Sequence, residues 1–485
     1  MPDPRADLRS KFHVNNRYSN FGPALDSVKI CGFRGIADLT VQFQFPITAI
    51  SGLNGAGKST VGQLCLGAYR KPTTVTDTRR FYVRDFFPAS AADPTPFGPT
   101  SSVVFEYNTT DPNNPQTLTV ARAAKEWSGY KRQPERSCYY IGFTIYIPKV
   151  EQRDLSIYRG AQVALGPQRP IPQDVRQRVG RILGQQYDAL HFQGITHGQR
   201  HGELGIAQRF GAQYSENNMG FGEGRTLYLV DLMENSPVQS LFVIEEPETS
   251  LHGNAQHELA KYLLDVCNRR HHQIVLTTHS SSILDTLPTE ARVMLLRDQA
   301  GVSAFPMMSA ARAKSILSGG HHRDLCVLVE DQFARLLLTE MVRRIDPTLL
   351  RCVEIHHVGD KKAVRSGALL MQRIARPYAA VRDADVGPDP TNGIFSFPGN
   401  MPPEKQVYLT PDVQSHLLEK FGVDVLHAFA QRETTNHHDF TKVLAQETDT
   451  LPDYLATIAI ESYLDSIGVD EFAPLVQAIQ ARLPQ

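Results

Sequence analysis

The chain has 485 residues, 41% of them apolar and 21% charged, and its 50 basic residues offset 51 acidic ones to leave a formal charge of -1. That balance predicts a large core split into two or three domains and excludes an overall field that attracts nucleic acid, so any DNA surface has to be a local patch. Six cysteines with no C-x-x-C pair argue against disulfides and cysteine zinc sites, and the charged start MPDPRADLRS with no long apolar run leads to the expectation of a cytoplasmic protein without a membrane span.

VKICGFRGIADLTVQFQF, residues 28–45, alternates apolar and polar residues around a Gly-Ile break and predicts the two strands of a hairpin. ITAI, 47–50, is a short apolar strand that runs into SGLNGAGKST. There Gly52, Gly57, Lys58 and Ser59 fit G-x-x-x-x-G-K-[ST], in which small residues let backbone N–H groups face phosphate oxygens while the lysine reaches the terminal phosphates. The loop Asn54, Gly55, Ala56, Gly57 and the following Lys58, Ser59 and Thr60 are therefore the expected nucleotide contacts, with Ser59 on Mg²⁺ and the helix start favouring anions.

From about 70 to 115 the chain turns proline-rich and irregular, then strand-like at VVFEY and SCYYIGFTIYIP. Arg122, Lys125, Lys131, Arg132 and Arg136 form the densest basic patch. IPQDVRQRVGRILGQQYDAL, 171–190, is predicted as a helix with Arg176, Arg178 and Arg181 on a solvated face. In SLFVIEEPETSLH the apolar run Leu241 to Ile244 predicts a buried strand that ends in Glu245 and Glu246, at the edge where parallel sheets bind ligands. Glu245 is expected near the metal and Glu246 as the general base that orients water toward the γ-phosphate. QIVLTTHSSS is a further buried strand, and it places His279 to sense that phosphate.

The order FRGI, GLNGAGKST, MGFGEGR, LFVIEEPETSLH and LTTHSS resembles the ABC-type ATPases of recombination and chromosome maintenance, most closely the AAA ATPase of the OLD (overcoming lysogenisation defect) family. Over residues 28 to about 300 the resemblance implies that Lys58 and Ser59 are the Walker A pair, Glu245 and Glu246 the Walker B pair and His279 the switch histidine. It also implies nucleotide contacts from Arg34 and from Gly222 in the signature-like stretch 217–225, with ATP held between two copies of the chain. Glu245 stands where aspartate is commoner, and NNMGFGEGR only loosely resembles LSGGQ.

Beyond residue 320 three apolar strands end in acids: LCVLVE at Glu330, VEIHHVGD at Asp360, and PYAAVRDADVG at Asp383 and Asp385. Alternate residues of a D-x-D at a strand end can face one site, and these hard oxygens suit Mg²⁺ or Mn²⁺. The arrangement resembles a Toprim domain, whose fusion to such an ATPase defines the OLD family. That resemblance implies a two-metal nuclease site of Glu330, Asp383 and Asp385, with Asp360 and, in FPGNMPPEKQVYL, Glu404 as further ligands and Lys405 for charge stabilisation. Asp331 stands where the family has glycine, and Ala334 where it often has an acid. Residues 411–485 read as helices, and the scattered histidines, His437 and His438 among them, read as surface residues rather than a zinc site.

The expectation is thus an α/β protein: an ABC-type P-loop ATPase domain over 1–315, a smaller Toprim-like α/β domain over 320–410 and a helical C-terminal segment over 411–485. By resemblance it would bind and hydrolyse ATP with Mg²⁺, act as a homodimer or higher oligomer on DNA, and serve antiphage defence with a second defence protein. The alternative is an ATP-switched scaffold whose degenerate Toprim domain holds a partner.

Overall fold

In a computed structural model of the chain the described residues are 3–76, 78–92, 96–123, 126–147, 164–197, 200–299, 301–318 and 325–483. They form two compact units, Met1–Met308 and Ser309–Gln485. Lys125 of the basic patch lies outside the described residues.

In the first unit β1 (Leu25–Phe33) and β2 (Ile36–Gln42) make the predicted antiparallel hairpin, closing on Phe33 opposite Ile36. Both turn residues, Arg34 and Gly35, have positive φ (44° and 78°), the geometry that matches the twist of two-residue hairpins. β1 continues through β4 (Phe97–Tyr107) and β5 (Gln116–Ala123) to β6 (Glu126–Ser128), giving a five-stranded sheet of order β2-β1-β4-β5-β6.

The central sheet has the order β15-β14-β3-β13-β12-β7. Its members are β3 (Ile47–Gly52), β7 (Cys138–Ile141), β12 (Leu241–Glu245), β13 (Gln273–Thr277), β14 (Arg292–Arg297) and β15 (Val302–Pro306). All run parallel except β15. Every residue of β3, β12 and β13 is buried, which is why each reads as an unbroken apolar run. Register places Ile50, Thr277 and Glu245 side by side, so the phosphate loop, the chain leading to His279 and the pair Glu245 and Glu246 leave the sheet at one edge.

A third sheet, β11-β10-β9-β8, goes beyond what the sequence pattern predicts: β8 (Ala164–Pro170), β9 (Ala189–His197), β10 (Arg200–Arg209) and β11 (Ala212–Ser215). It also shortens the helix expected over 171–190. That helix is Gln173–Leu183, stopped by Gly184 in the left-handed conformation, after which the chain enters β9.

The second unit is built on four parallel strands, β16 (Leu325–Val329), β17 (Val353–His357), β18 (Tyr378–Arg382) and β19 (Ile394–Ser396), ordered β17-β16-β18-β19. Leu325, Val327 and Val329 face one core, shared with helix Gln332–Ile345 and the helices after Pro411. Leu328 faces the other, with Val364 and Ala368 of helix Lys361–Arg373. The C-terminal helices therefore form one side of this unit's core, and helix Ala310–Ser318 falls on the same side of the boundary. Among the described residues no helix is long and apolar enough to cross a membrane.

Candidate nucleotide and metal sites

The phosphate loop turns where only glycine passes. Gly52 has φ 149°, and a Cβ there would lie 2.4 Å from the carbonyl oxygen of Leu295. Gly57, at φ 96°, caps helix Lys58–Leu66, whose first-turn N–H groups have no partners within the helix. Between them Asn54, Gly55 and Ala56 form the loop, and Arg297 steadies it by donating from Nε to the Gly55 carbonyl at 2.8 Å. Lys58 is buried, and its Nζ donates to the carbonyls of Gly52 (2.9 Å) and Leu53 (3.2 Å), leaving one of three donors for an anion. Burial pulls its pKa below the usual lysine range, opposed by the charges of Glu246 and Glu248. Ser59 is exposed and Thr60 buried on the same turn.

Glu245 ends β12 buried, 3.4 Å from Gln63 Nε2 of the phosphate-loop helix. Glu246 follows in the left-handed region (φ 43°), a conformation that costs a non-glycine residue on the order of 1 kcal/mol. It brings Oε1 to 3.6 Å from His279 Nε2. Glu248 Oε1 accepts from Thr278 Oγ1 (2.6 Å) and from the backbone N–H groups of His279 (2.8 Å) and Ser280 (3.1 Å). Residues 246–252 are thus a loop, and the next helix, Gly253–Arg270, is capped by His252.

Two further expected nucleotide contacts have neighbours within the chain. Arg34 sits in the hairpin turn with Nη2 donating to the Phe86 carbonyl and its guanidinium 4.5 Å from the Phe87 ring centroid. Gly222 is buried in the first turn of helix Phe221–Asn235, where a Cβ would lie 2.5 Å from the Ser250 carbonyl oxygen, so packing already accounts for that glycine. The residue that sequence reasoning missed here is Arg225, buried on the same helix, whose Nη2 donates to the Glu245 carbonyl at 2.6 Å.

In the second unit the parallel strands open their C-terminal ends on one edge, where Glu330, Asp383 and Asp385 meet. Glu330 Oε1 accepts the backbone N–H of Asp383 at 3.2 Å. Strand alternation is not what joins the two aspartates: β18 stops at Arg382, and Asp383 to Asp385 lie in a turn closed by the Val386 N–H on the Asp383 carbonyl. Asp383 is buried and Asp385 exposed. Burial first, then the charges of Glu330, Asp331, Glu404 and Asp385, push the Asp383 carboxyl up to about 8. Glu330 is raised too, by burial and by Asp331 and Asp385.

Glu404, 3% exposed, is pushed up to about 7 by burial and by Asp331. Asp331, expected only as a departure from a family pattern, belongs to this acidic group, while one of its oxygens caps helix Gln332–Ile345 at the Ala334 N–H. His438 is exposed and His437 half-buried, and His438 Nδ1 lies 3.1 Å from Glu404 Oε1 and 3.2 Å from Asp331 Oδ2, so this surface histidine is partnered with the acidic group rather than isolated from it. No local pattern marks them, because 34 residues separate His438 from Glu404. Asp360 borders the cavity of about 620 Å³ that Glu330, Asp331, Glu404 and His438 also line, and its Oδ1 accepts from the N–H groups of Lys362 and Ala363 as a helix cap. Carboxylates massed this closely repel one another unless protons or cations sit among them, and their hard oxygens fit Mg²⁺ or Mn²⁺.

An AAA ATPase domain family matches residues 181–284, and an AAA domain family matches residues 27–75. None of the curated proteins compared matches the chain. Among solved structures it is similar to the SMC head domain from Thermotoga maritima, at 15% identity over 58% of this chain and 98% of that one, with a TM-score of 0.34. It is similar also to the Smc head domain with an extended coiled coil bound to the C-terminal domain of ScpA, derived from Pyrococcus furiosus, at 10% identity over 61% and 99%, with a TM-score of 0.37. The two matched regions contain the phosphate loop and the strands that lead to Glu245 and His279. Both matched regions lie in the first unit, so it is this unit that carries the likeness to AAA ATPase domains and, with it, the expectation of ATP binding and hydrolysis.

Proposed function

We propose that the chain is a cytoplasmic, OLD-type, ATP-controlled nuclease that cleaves DNA at a divalent-metal site of the Toprim kind, acting in antiphage defence. The observation that carries this reading is the meeting of Glu330 and Asp383 across two parallel strands, with Asp385 and Glu404 close enough to raise the Asp383 pKa. Divalent cations bound there would supply charge to clamp the attacking and leaving oxygens of a phosphodiester. Glu330, Asp383, Asp385 and Glu404 hold them, and the Glu330 contact to the Asp383 N–H fixes the two carboxylates side by side. In the ATPase unit Lys58, Ser59 and the loop amides bind the triphosphate with its Mg²⁺, Glu246 orients water and His279 senses the γ-phosphate. Two copies close on ATP as a homodimer, in this reading, and a second defence protein supplies recognition.

A second reading, a nucleotide-switched scaffold that holds a partner, is favoured by Asp331 and Ala334, since Asp331 serves as a helix cap where the family has glycine. The purified protein incubated with plasmid and linear DNA in Mg²⁺ or Mn²⁺, with and without ATP, beside Asp383→Ala, separates the two. Cutting that disappears in the variant is the expected result. Protein that hydrolyses ATP yet never cuts under any condition supports the scaffold.

A further inference from the structure

We infer that Glu404, His437 and His438, with Asp331 as a fourth ligand, hold a zinc-class transition-metal ion at a mixed nitrogen and oxygen site that adjoins the all-oxygen group of Glu330, Asp383 and Asp385 and shares Glu404 with it. The inference rests on the proposed function only through the shared residue Glu404, and it does not require that the protein cut DNA. One ligand atom from each of Glu404, His437 and His438 lies within 4.8 Å of the others. The contacts of His438 Nδ1 to Glu404 (3.1 Å) and Asp331 (3.2 Å) already have the spacing of neighbouring ligands on an ion with bonds of about 2.0–2.2 Å.

Glu404 supplies the independent sign of a missing partner. Its side chain is almost wholly buried, it borders the cavity, and its Oε2 has no hydrogen-bond partner. A buried carboxylate oxygen without a donor or cation is costly. Among the described residues, the sole ionic partner of Glu404 or Asp331 within 4.0 Å is His438, so one imidazole is shared by two acids. Two carboxylates, two neutral imidazoles and one divalent ion make an electrically neutral set.

The imidazole nitrogens set the choice of ion. Mg²⁺ takes oxygen ligands almost exclusively, whereas Zn²⁺ accepts mixed nitrogen and oxygen donors. The ion would join helix Pro403–Tyr408 and the start of helix Gln332–Ile345 to the turn before Phe440–Glu447. Its role is to fix Glu404 and Asp331 in place beside the second group.

The test uses the full chain, stripped with chelator and dialysed against Zn²⁺ with excess Mg²⁺, bound metal being measured by mass spectrometry and Co²⁺ substitution by visible absorption. Wild type and Asp383→Asn are expected to retain one zinc equivalent. His437→Gln and His438→Gln are each expected to weaken zinc binding at least tenfold and to lose the nitrogen-sensitive Co²⁺ bands, with near-ultraviolet circular dichroism confirming folded variants. Zinc binding unchanged in both histidine variants, zinc displaced by Mg²⁺, or zinc lost in Asp383→Asn alone overturns the assignment. Zinc retained by a protein that cuts no DNA leaves this site standing while the nuclease reading fails.

Discussion

Glu248 Oε1 accepts the backbone N–H of His279 at 2.8 Å, so the loop after β12 holds His279 by its main chain. The same oxygen takes Thr278 Oγ1 and the Ser280 N–H. Glu248→Ala is expected to lower ATP turnover about 10- to 100-fold through misplacement of His279, with nucleotide affinity changed by less than about threefold. Phosphate release and fluorescent-nucleotide titration measure the two, and equal losses in both would contradict a positioning role.

Arg297 anchors the phosphate loop from outside the motif by its bond to the Gly55 carbonyl. Its removal leaves Gly52, Lys58 and Ser59 intact but the loop less ordered before binding. Arg297→Ala is expected to raise the nucleotide dissociation constant about five- to tenfold, a modest loss because the side chain is exposed. Titration calorimetry with a non-hydrolysable ATP analogue measures it.

His272 is buried between Phe242, 4.8 Å away ring to ring, and the Ser240 N–H, which donates to Nδ1. Burial lowers its pKa from 6.5 to about 3. The unfolded chain therefore binds the proton first, and folding stability is lost as pH falls from about 6.5 toward 3, by up to about 5 kcal/mol. Thermal melts at pH 7 and pH 4.5 are expected to show a steeper decline for wild type than for His272→Gln, which has nothing to titrate.

Asp383 works in the opposite direction. Its folded pKa of about 8 lies above the usual 3.8, so the metal-free fold holds a proton that the unfolded chain gives up. Stability in chelator is expected to fall as pH rises from about 4 to 8, and Asp383→Asn to be more stable than wild type at pH 9 by about 2–4 kcal/mol. Added Mn²⁺ should raise the melting temperature of wild type and leave the variant unmoved. A wild type indifferent to Mn²⁺ would remove the metal from the account.

The strands that were legible are the ones buried on both faces. ITAI, LFVIE and QIVLT each announce themselves because nothing polar is tolerated in the middle of a parallel sheet, and the glycines of the phosphate loop mark turns that no side chain can follow. The hairpin at Arg34 was legible for the same kind of reason, since its register keeps Val28, Ile30 and Phe33 on the core side. The sheet from β8 to β11 was not, because its outer strands are largely exposed and ALGPQRP or GELGIAQRF carries no clear alternation. In the second unit the acids at strand ends could be read from local pattern, whereas His438 reaches Glu404 only through tertiary packing. Asp360 and Glu248 show the converse limit: an acid after a buried strand looks alike whether it binds a ligand, caps a helix or holds a neighbouring loop.

Gly222 against the Ser250 carbonyl and Arg225 on the Glu245 carbonyl pack the 15-residue helix Phe221–Asn235 onto both ends of the loop that carries Glu246. A side chain at position 222, or loss of the guanidinium at 225, would therefore disturb that loop from a helix that sequence alone does not connect with it.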